Sequence, residues 1–268
     1  MKGRIKHFIS HSTARVLIDS MKFLLLSAIV VWGIAIGTER LGYHWQWYRV
    51  PGYIGTFAES HFVVGPLLRG LWITLQITAA SIVLALTFGL ITALFRLSRS
   101  FVARATARVY LEFIRNTPLL VQIFVMYFVI APVVNMDAFM SAILALSLFE
   151  GAYMSEILRS GIVSIEQGQW EAAYSLGMSR YIAYRHVIIP QAIRRVLPPL
   201  TSQAISLIKD SALVSTIAIY DLTMQGQAII AETFLTFEIW FTVAAIYFIM
   251  TFSLSLVVHL VEDRFRLE

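Results

Sequence analysis

The sequence predicts an all-α, polytopic membrane bundle of about six transmembrane helices. Three observations predict it. Hydrophobic residues make up 58% of the chain and charged residues 14%, with a mean hydropathy of +0.74; a soluble domain carries roughly 25% charge. Several apolar runs reach the roughly 20 residues a helix needs to cross the hydrocarbon core. Lys and Arg are sorted between alternate connections, as in membrane topology. The net charge of +5 would also suit a nucleic-acid binder, but this sorting argues for a bilayer and against nucleic acid as a partner. The absence of cysteine removes disulfides and thiolate metal sites.

The first apolar run follows a basic segment, Met1–Lys22. A secretory signal would end in a small-x-small cleavage site. Thr38-Glu39-Arg40 stands after Gly37 instead, so the run is expected to remain as a signal anchor and first span, Val16–Gly37. The next spans are expected at Leu68–Phe95, Pro118–Val134 and Ala138–Leu158. Val196–Ile219, the most polar, is the fifth, and Ile239–Leu260 the sixth. Of the 21 Lys and Arg residues, 17 fall on one side: the N-terminal tail, Arg96–Arg115, Arg159–Arg195, and Arg264 with Arg266. Arg40, Arg49 and Arg69 lie opposite, and Lys209 lies within the fifth span. By the positive-inside rule both termini are cytoplasmic. The loop Thr38–Leu67 is then external, and its Trp45, Trp47, Tyr48 and Tyr53 suit the headgroup layer on an interfacial helix. The chain divides into residues 1–64 (tail, first span and aromatic loop) and a five-helix unit, residues 65–268.

About 35 residues between the fourth and fifth spans are too polar to cross a bilayer. Good helix formers run from Glu166 to Leu176, and Gly177 stands where a helix-ending glycine belongs. Ser179 is a candidate N-cap for a second helix, Arg180–Ile189, which Pro190 stops or bends. The expected form is helix, tight turn, helix, with Trp170, Ala172, Ala173 and Tyr174 on its exposed side. Two uses stand open: a solvated or lipid-resting connector, or a knob that docks a cytoplasmic partner, with Glu171 meeting a basic group.

Here the residues acquire a family likeness. Glu171-Ala172-Ala173, three residues, Gly177, then Ile188-Ile189-Pro190 resembles the EAA motif of ABC importer permeases. The spacing holds within one position, and Ile189 stands where Leu is usual. Further stretches resemble the polar amino acid uptake branch: Arg115-Asn116-Thr117-Pro118-Leu119-Leu120-Val121-Gln122, Gly151-Ala152-Tyr153 with Glu156, Gly177-Met178-Ser179, Ile189-Pro190-Gln191-Ala192, and Leu207-Ile208-Lys209-Asp210-Ser211. The likeness covers about Pro66 to Glu268. It implies a type I importer (MetI-like) core with one additional N-terminal helix. It also implies that Glu171, Ala172, Ala173 and Gly177 couple the chain to an ATP-hydrolysing subunit. Family members work as two permeases, identical or paralogous, with two ATPases and an extracytoplasmic substrate-binding protein. The sequence has no G-x4-G-K-[ST] phosphate loop. This chain is therefore expected to hold no cofactor and to be no enzyme, with ATP and Mg bound by the partner.

Polar groups inside spans are the candidates for a substrate path, because centring a charge in a bilayer costs about 2.5–3.5 kcal/mol on insertion scales. Ser147, Glu150, Tyr153 and Glu156 follow at steps of three, a spacing that sets them along one drifting helix face. Gly151 and Ala152 beside them permit close helix contact. Glu150 suits recognition of an α-amino or cationic group, with Tyr153 shaping the pocket; the alternative is an internal bond that fixes packing. For Glu156 an i,i+3 pair with Arg159 is the structural reading. Thr117 is expected as an N-cap with Pro118 first in the helix; Asn116, Thr117 and Gln122 also offer polar groups to the path. Lys209 and Asp210 are adjacent and so do not face each other. They mark either a helix break lining a cavity or pairings to neighbouring helices. The six histidines have no metal-ligand spacing. Rival functions are an intramembrane enzyme, which lacks a nucleophile–base or metal motif here, an ATP-independent channel, and a membrane scaffold.

Overall fold

The computed structural model describes residues 18–33, 35–37, 42–58 and 61–266. The basic tail up to Arg15, the start of the first span at Val16, and Arg40 lie outside the described residues. The chain divides between Gln46 and Trp47 into two compact units. The first carries α1, Ile18–Gly37, a candidate span with bulky apolar residues exposed along its length.

The second unit begins with a 3₁₀ turn at Trp47–Arg49 and a short helix, α2, Val50–Ile54, then strands β1, Gly55–Ala58, and β2, His61–Val64. These pair antiparallel, with Gly55 opposite Val64 and Ala58 opposite His61. The aromatic loop is thus a short helix and a hairpin rather than one interfacial helix. Tyr53 and Ile54 pack on Leu67, Leu222, Leu235 and Ile239, so residues 47–64 belong with the bundle.

Eight further helices and two π segments follow: α3, Pro66–Leu97; α4, Phe101–Arg115; α5, Leu119–Phe124; a π segment, Val125–Ile130; α6, Ala131–Val134; α7, Ala138–Val163; α8, Gln167–Ser175; α9, Arg180–Ala183; a second π segment, Tyr184–Ile188; and α10, Ile189–Asp210. A 3₁₀ segment, Ser211–Ile217, and helices α11, Leu222–Thr233, and α12, Thr236–Arg266, complete the described residues. Among the described residues four helices, α1, α3, α7 and α12, are long and apolar enough to cross a membrane alone. Helix α4 and the α5–α6 segment form a pair bent by 107°, so the α5–α6 segment alone matches the expected third span. Arg194, Arg195, Thr201, Ser202 and Gln203 keep α10 out of the apolar set.

Three local expectations change. Pro190 neither stops nor bends the chain into a new element: it lies in the first turn of α10, where its missing N–H is tolerated. The π segment before it absorbs the register change. The fifth helix accordingly begins at Ile189, not Val196. Thr117 is not the N-cap of α5. The cap position is Pro118, and the Thr117 hydroxyl donates backward to Phe113 O at 2.9 Å.

The centre of the unit is the α3–α7 pair. Ser81 donates to Ile143 O at 3.4 Å, and Ser147 donates to Ser81 O at 3.3 Å. Buried hydroxyls of this kind satisfy themselves between helices where lipid offers no partner. A Cβ on Gly151 would lie 3.0 Å from Phe88 Cβ and 3.2 Å from Ala85 O. Gly151→Val therefore wedges α3 from α7, at about 1–3 kcal/mol for an overpacked site. Thermal unfolding in detergent should show a lower midpoint than wild type, with Gly151→Ala between them; an unshifted Gly151→Val would mean that the two helices do not approach this closely.

Candidate functional site

The predicted site residues fall into four places. The first is the elbow formed by α8 and α9. The α8 C-terminus closes as a Schellman motif: Met178 N–H donates to Ala173 O at 3.1 Å and Gly177 N–H to Tyr174 O at 2.9 Å. Gly177 has φ +75°, the left-handed conformation this cap requires and glycine adopts freely. Ser179 then caps α9, its side chain accepting from Ile182 N–H. The sequence expected Trp170 and Ala173 on the exposed side. Ala173 is instead buried, and Trp170 stacks edge-on against Tyr184, with centroids 4.7 Å apart. Glu171, Ala172, Ser175 and Leu176 form the exposed tip. Ile165, Ile188 and Ala192 are buried beneath, with Trp170 and Tyr184 against them. Gln191 donates to Gln169 at 3.0 Å, and Arg195 donates to Ser164 O. The elbow is thus clamped to the end of α7 and the start of α10.

The second place is where α7 meets α10. Glu150 is fully buried, and Gln203 of α10 donates to its Oε2. Its Oε1 is buried with no hydrogen-bond partner. Asp210, at the end of α10, is close enough to interact with Glu150 and with Lys209. The helix changes from α to 3₁₀ after Asp210, and the 3₁₀ segment ends at Ala218 in a left-handed conformation, φ 58°. Among the described residues no salt bridge joins Lys209 or Asp210 to a neighbouring helix. The Lys209–Asp210 pair thus marks a change of helix type.

Glu156 and Tyr153 occupy a third place, away from Glu150. A step of three residues falls about 60° short of a full turn, so the row Ser147, Glu150, Tyr153, Glu156 divides between neighbours. Ser147 bonds within α7 and to α3, Glu150 meets α10, and Tyr153 lies under the Arg115 guanidinium, 5.9 Å from its ring centre. Glu156 is paired with Arg96 of α3, with Arg159 at 3.3 Å and with Arg115 of α4 at 3.6 Å. The i,i+3 pair read from sequence is one arm of this cluster.

The corner between α4 and α5 is the fourth. Gln122 is buried and donates to Ile114 O at 2.8 Å, Thr117 Oγ1 at 2.7 Å and Thr117 O at 3.1 Å. Asn116 donates to Glu112 Oε2 at 3.0 Å. These residues staple the 107° bend. Sequence reasoning missed Gln203, whose neighbourhood to Glu150 spans 53 positions. It also missed Asp221, a buried carboxylate that caps α11 by accepting from Met224 N–H at 2.8 Å. An Asp two residues after an apolar run and before a helical one is the capping signal that would have found the latter.

Residues 85–267 match the family described as binding-protein-dependent transport system inner membrane component. The chain is 39% identical over 204 residues to the glutamine transport system permease protein GlnP of Escherichia coli (strain K12), covering 75% of this chain and 93% of that one. It is 42% identical over 202 residues to the L-cystine transport system permease protein TcyB of Bacillus subtilis (strain 168), covering 74% and 86%. Among solved structures, an amino acid ABC transporter crystallised with histidines superposes with a TM-score of 0.70 at 40% identity, over 74% of this chain and 94% of that one. The MetNI methionine ABC transporter, in an inward-facing form, superposes at 0.62 with 20% identity, over 74% and 95%, a likeness of fold.

Proposed function

The chain belongs to the family of binding-protein-dependent transport system inner membrane components, and from that premise we propose how it works. It is the permease component of an amino-acid ABC importer in the bacterial inner membrane. The arginine-rich end of the bundle, with both termini, faces the cytoplasm. Two copies of a separate ATPase subunit, carrying ATP and Mg, grip the α8–α9 elbow of this chain and of a second permease, identical or paralogous. An extracytoplasmic binding protein delivers the amino acid to the opposite end.

The observation that carries this reading is the construction of the elbow. Its tip, Glu171, Ala172 and Leu176, is exposed, while its base is locked to α7 and α10 through Trp170, Tyr184 and the Arg195–Ser164 bond. A push on the tip is delivered to the two helices that carry Glu150 and Gln203. Those groups line the path; the unpartnered Glu150 Oε1 is the acceptor offered to the α-amino group of the cargo. Purification in detergent with a co-expressed ATPase subunit should yield a stable complex whose ATP hydrolysis rises with the loaded binding protein. Solute uptake by vesicles holding this chain without any ATPase would overturn the reading in favour of a channel.

A further inference from the structure

The cluster around Glu156 is more than an ion pair. Where α3, α4 and α7 converge, a pocket of about 290 Å³ is lined by Arg96, Arg104, Arg108, Arg115 and Arg159, against the carboxylates Glu112 and Glu156. Five positive charges face two negative ones, an excess of three. A cluster that serves packing alone balances its charges, because unpaired guanidinium groups held together repel. Here Glu156 is shared by three arginines, and Glu112 is engaged by Asn116. The exposed side chains of Arg104 and Arg108 carry no hydrogen bond or ion pair among the described residues. The buried Nε of Arg159 has no acceptor. The pocket therefore presents more planar donors than its two carboxylates take up. Guanidinium forks match the oxygens of a phosphate group, and the volume admits one with some of its water.

The other side of α4 indicates where the phosphate comes from. Val102, Val109 and Phe113 form an apolar stripe on a separate face of the helix, exposed at 70%, 70% and 62%. A helix with bulky apolar residues on one face and arginines on another lies in the membrane–water interface. Its arginines then sit at the level of lipid phosphates. We propose that the arginine pocket between α3, α4 and α7 is a binding site for a phosphate-bearing anion, supplied by the headgroup of an anionic phospholipid. This site is separate from the Glu150–Gln203 path and from the elbow, and it needs only that the chain is in a bilayer. It does not depend on the importer reading.

Native mass spectrometry of the purified chain, exchanged into mixed micelles of phosphatidylglycerol and phosphatidylcholine, tests it. Wild type should retain phosphatidylglycerol over phosphatidylcholine by about fivefold or more, and Arg104→Gln/Arg108→Gln should bring the ratio to within about twofold. Neither arginine side chain makes an internal bond among the described residues, so the double variant should fold as wild type does, with an unchanged unfolding midpoint in plain detergent. Arg99→Gln removes a nearby exposed arginine outside the pocket and should keep the preference. Competition by inorganic phosphate, lost in the double variant, would support the phosphate site while moving its source to the water phase. Equal lipid retention in wild type and double variant, with no phosphate competition, overturns the proposal. So does an Arg99→Gln variant that loses as much as the double variant, because the effect is then diffuse charge.

Discussion

Gly177→Pro in the assembled importer should reduce amino-acid uptake below about a tenth of wild type while the permease stays in the membrane at normal abundance. The argument is local. Gly177 holds φ +75° and donates its N–H to Tyr174 O at 2.9 Å. Proline supplies neither, since its ring fixes φ near −65° and it has no N–H. The chain must leave α8 in another direction, and the tip no longer stands in register with the base that Trp170 and Tyr184 fix. Gly177→Ala separates geometry from bulk. No heavy atom lies within 4 Å of a Cβ placed there, so only left-handed strain of about 1–2 kcal/mol remains, and most uptake should survive. Glu171→Arg gives an independent arm. Glu171 is exposed, and among the described residues its carboxylate accepts only from Gln167, at 2.8 Å, so reversing its charge leaves the fold alone and acts on the proposed contact with the ATPase. Uptake and stimulated ATP hydrolysis should fall together in both Gly177→Pro and Glu171→Arg. Normal uptake by both would remove the elbow from the coupling step.

Much of this was legible because the strongest sequence signals are the ones a bilayer imposes. Apolar runs of spanning length located α1, α3, α7 and α12. Turn chemistry located the elbow: Gly177 and Ser179 each do locally what their residue type does generally. The signal failed where tertiary contacts decide. No periodicity distinguishes a π turn such as Tyr184–Ile188 from ordinary helix, so Pro190 read as a stop. Ala173 read as exposed because α8 is too short to show which face it buries; that face is set by packing against neighbouring elements, as Trp170 shows by lying on Ile165, Ile188 and Ala192. The partners of Glu150 and Glu156 come from other helices, Gln203 and Arg96 among them. A single chain read linearly offers only neighbours such as Arg159.

Glu150→Gln should weaken uptake about tenfold or more, with little change in the amount of folded permease. Glutamine matches glutamate in volume, and its amide oxygen still accepts from Gln203, so the α7–α10 contact survives. What the substitution removes is the second carboxyl oxygen: it can turn an N–H₂ toward the position where Oε1 stands without a partner. A hydrogen bond to a charged group in a buried site is worth about 1.5–3 kcal/mol, or roughly ten- to a hundredfold in affinity. The loss should appear as a higher half-saturating concentration for both uptake and stimulated ATP hydrolysis. Gln203→Leu supplies the contrast: it strips the Gln203 donor from Glu150, leaves Asp210 as the polar side chain beside the buried carboxyl group, and should lower the unfolding midpoint as well. If Glu150→Gln leaves the uptake profile unchanged while Gln203→Leu destabilises, the carboxylate serves the contact between α7 and α10 and the cargo is recognised elsewhere.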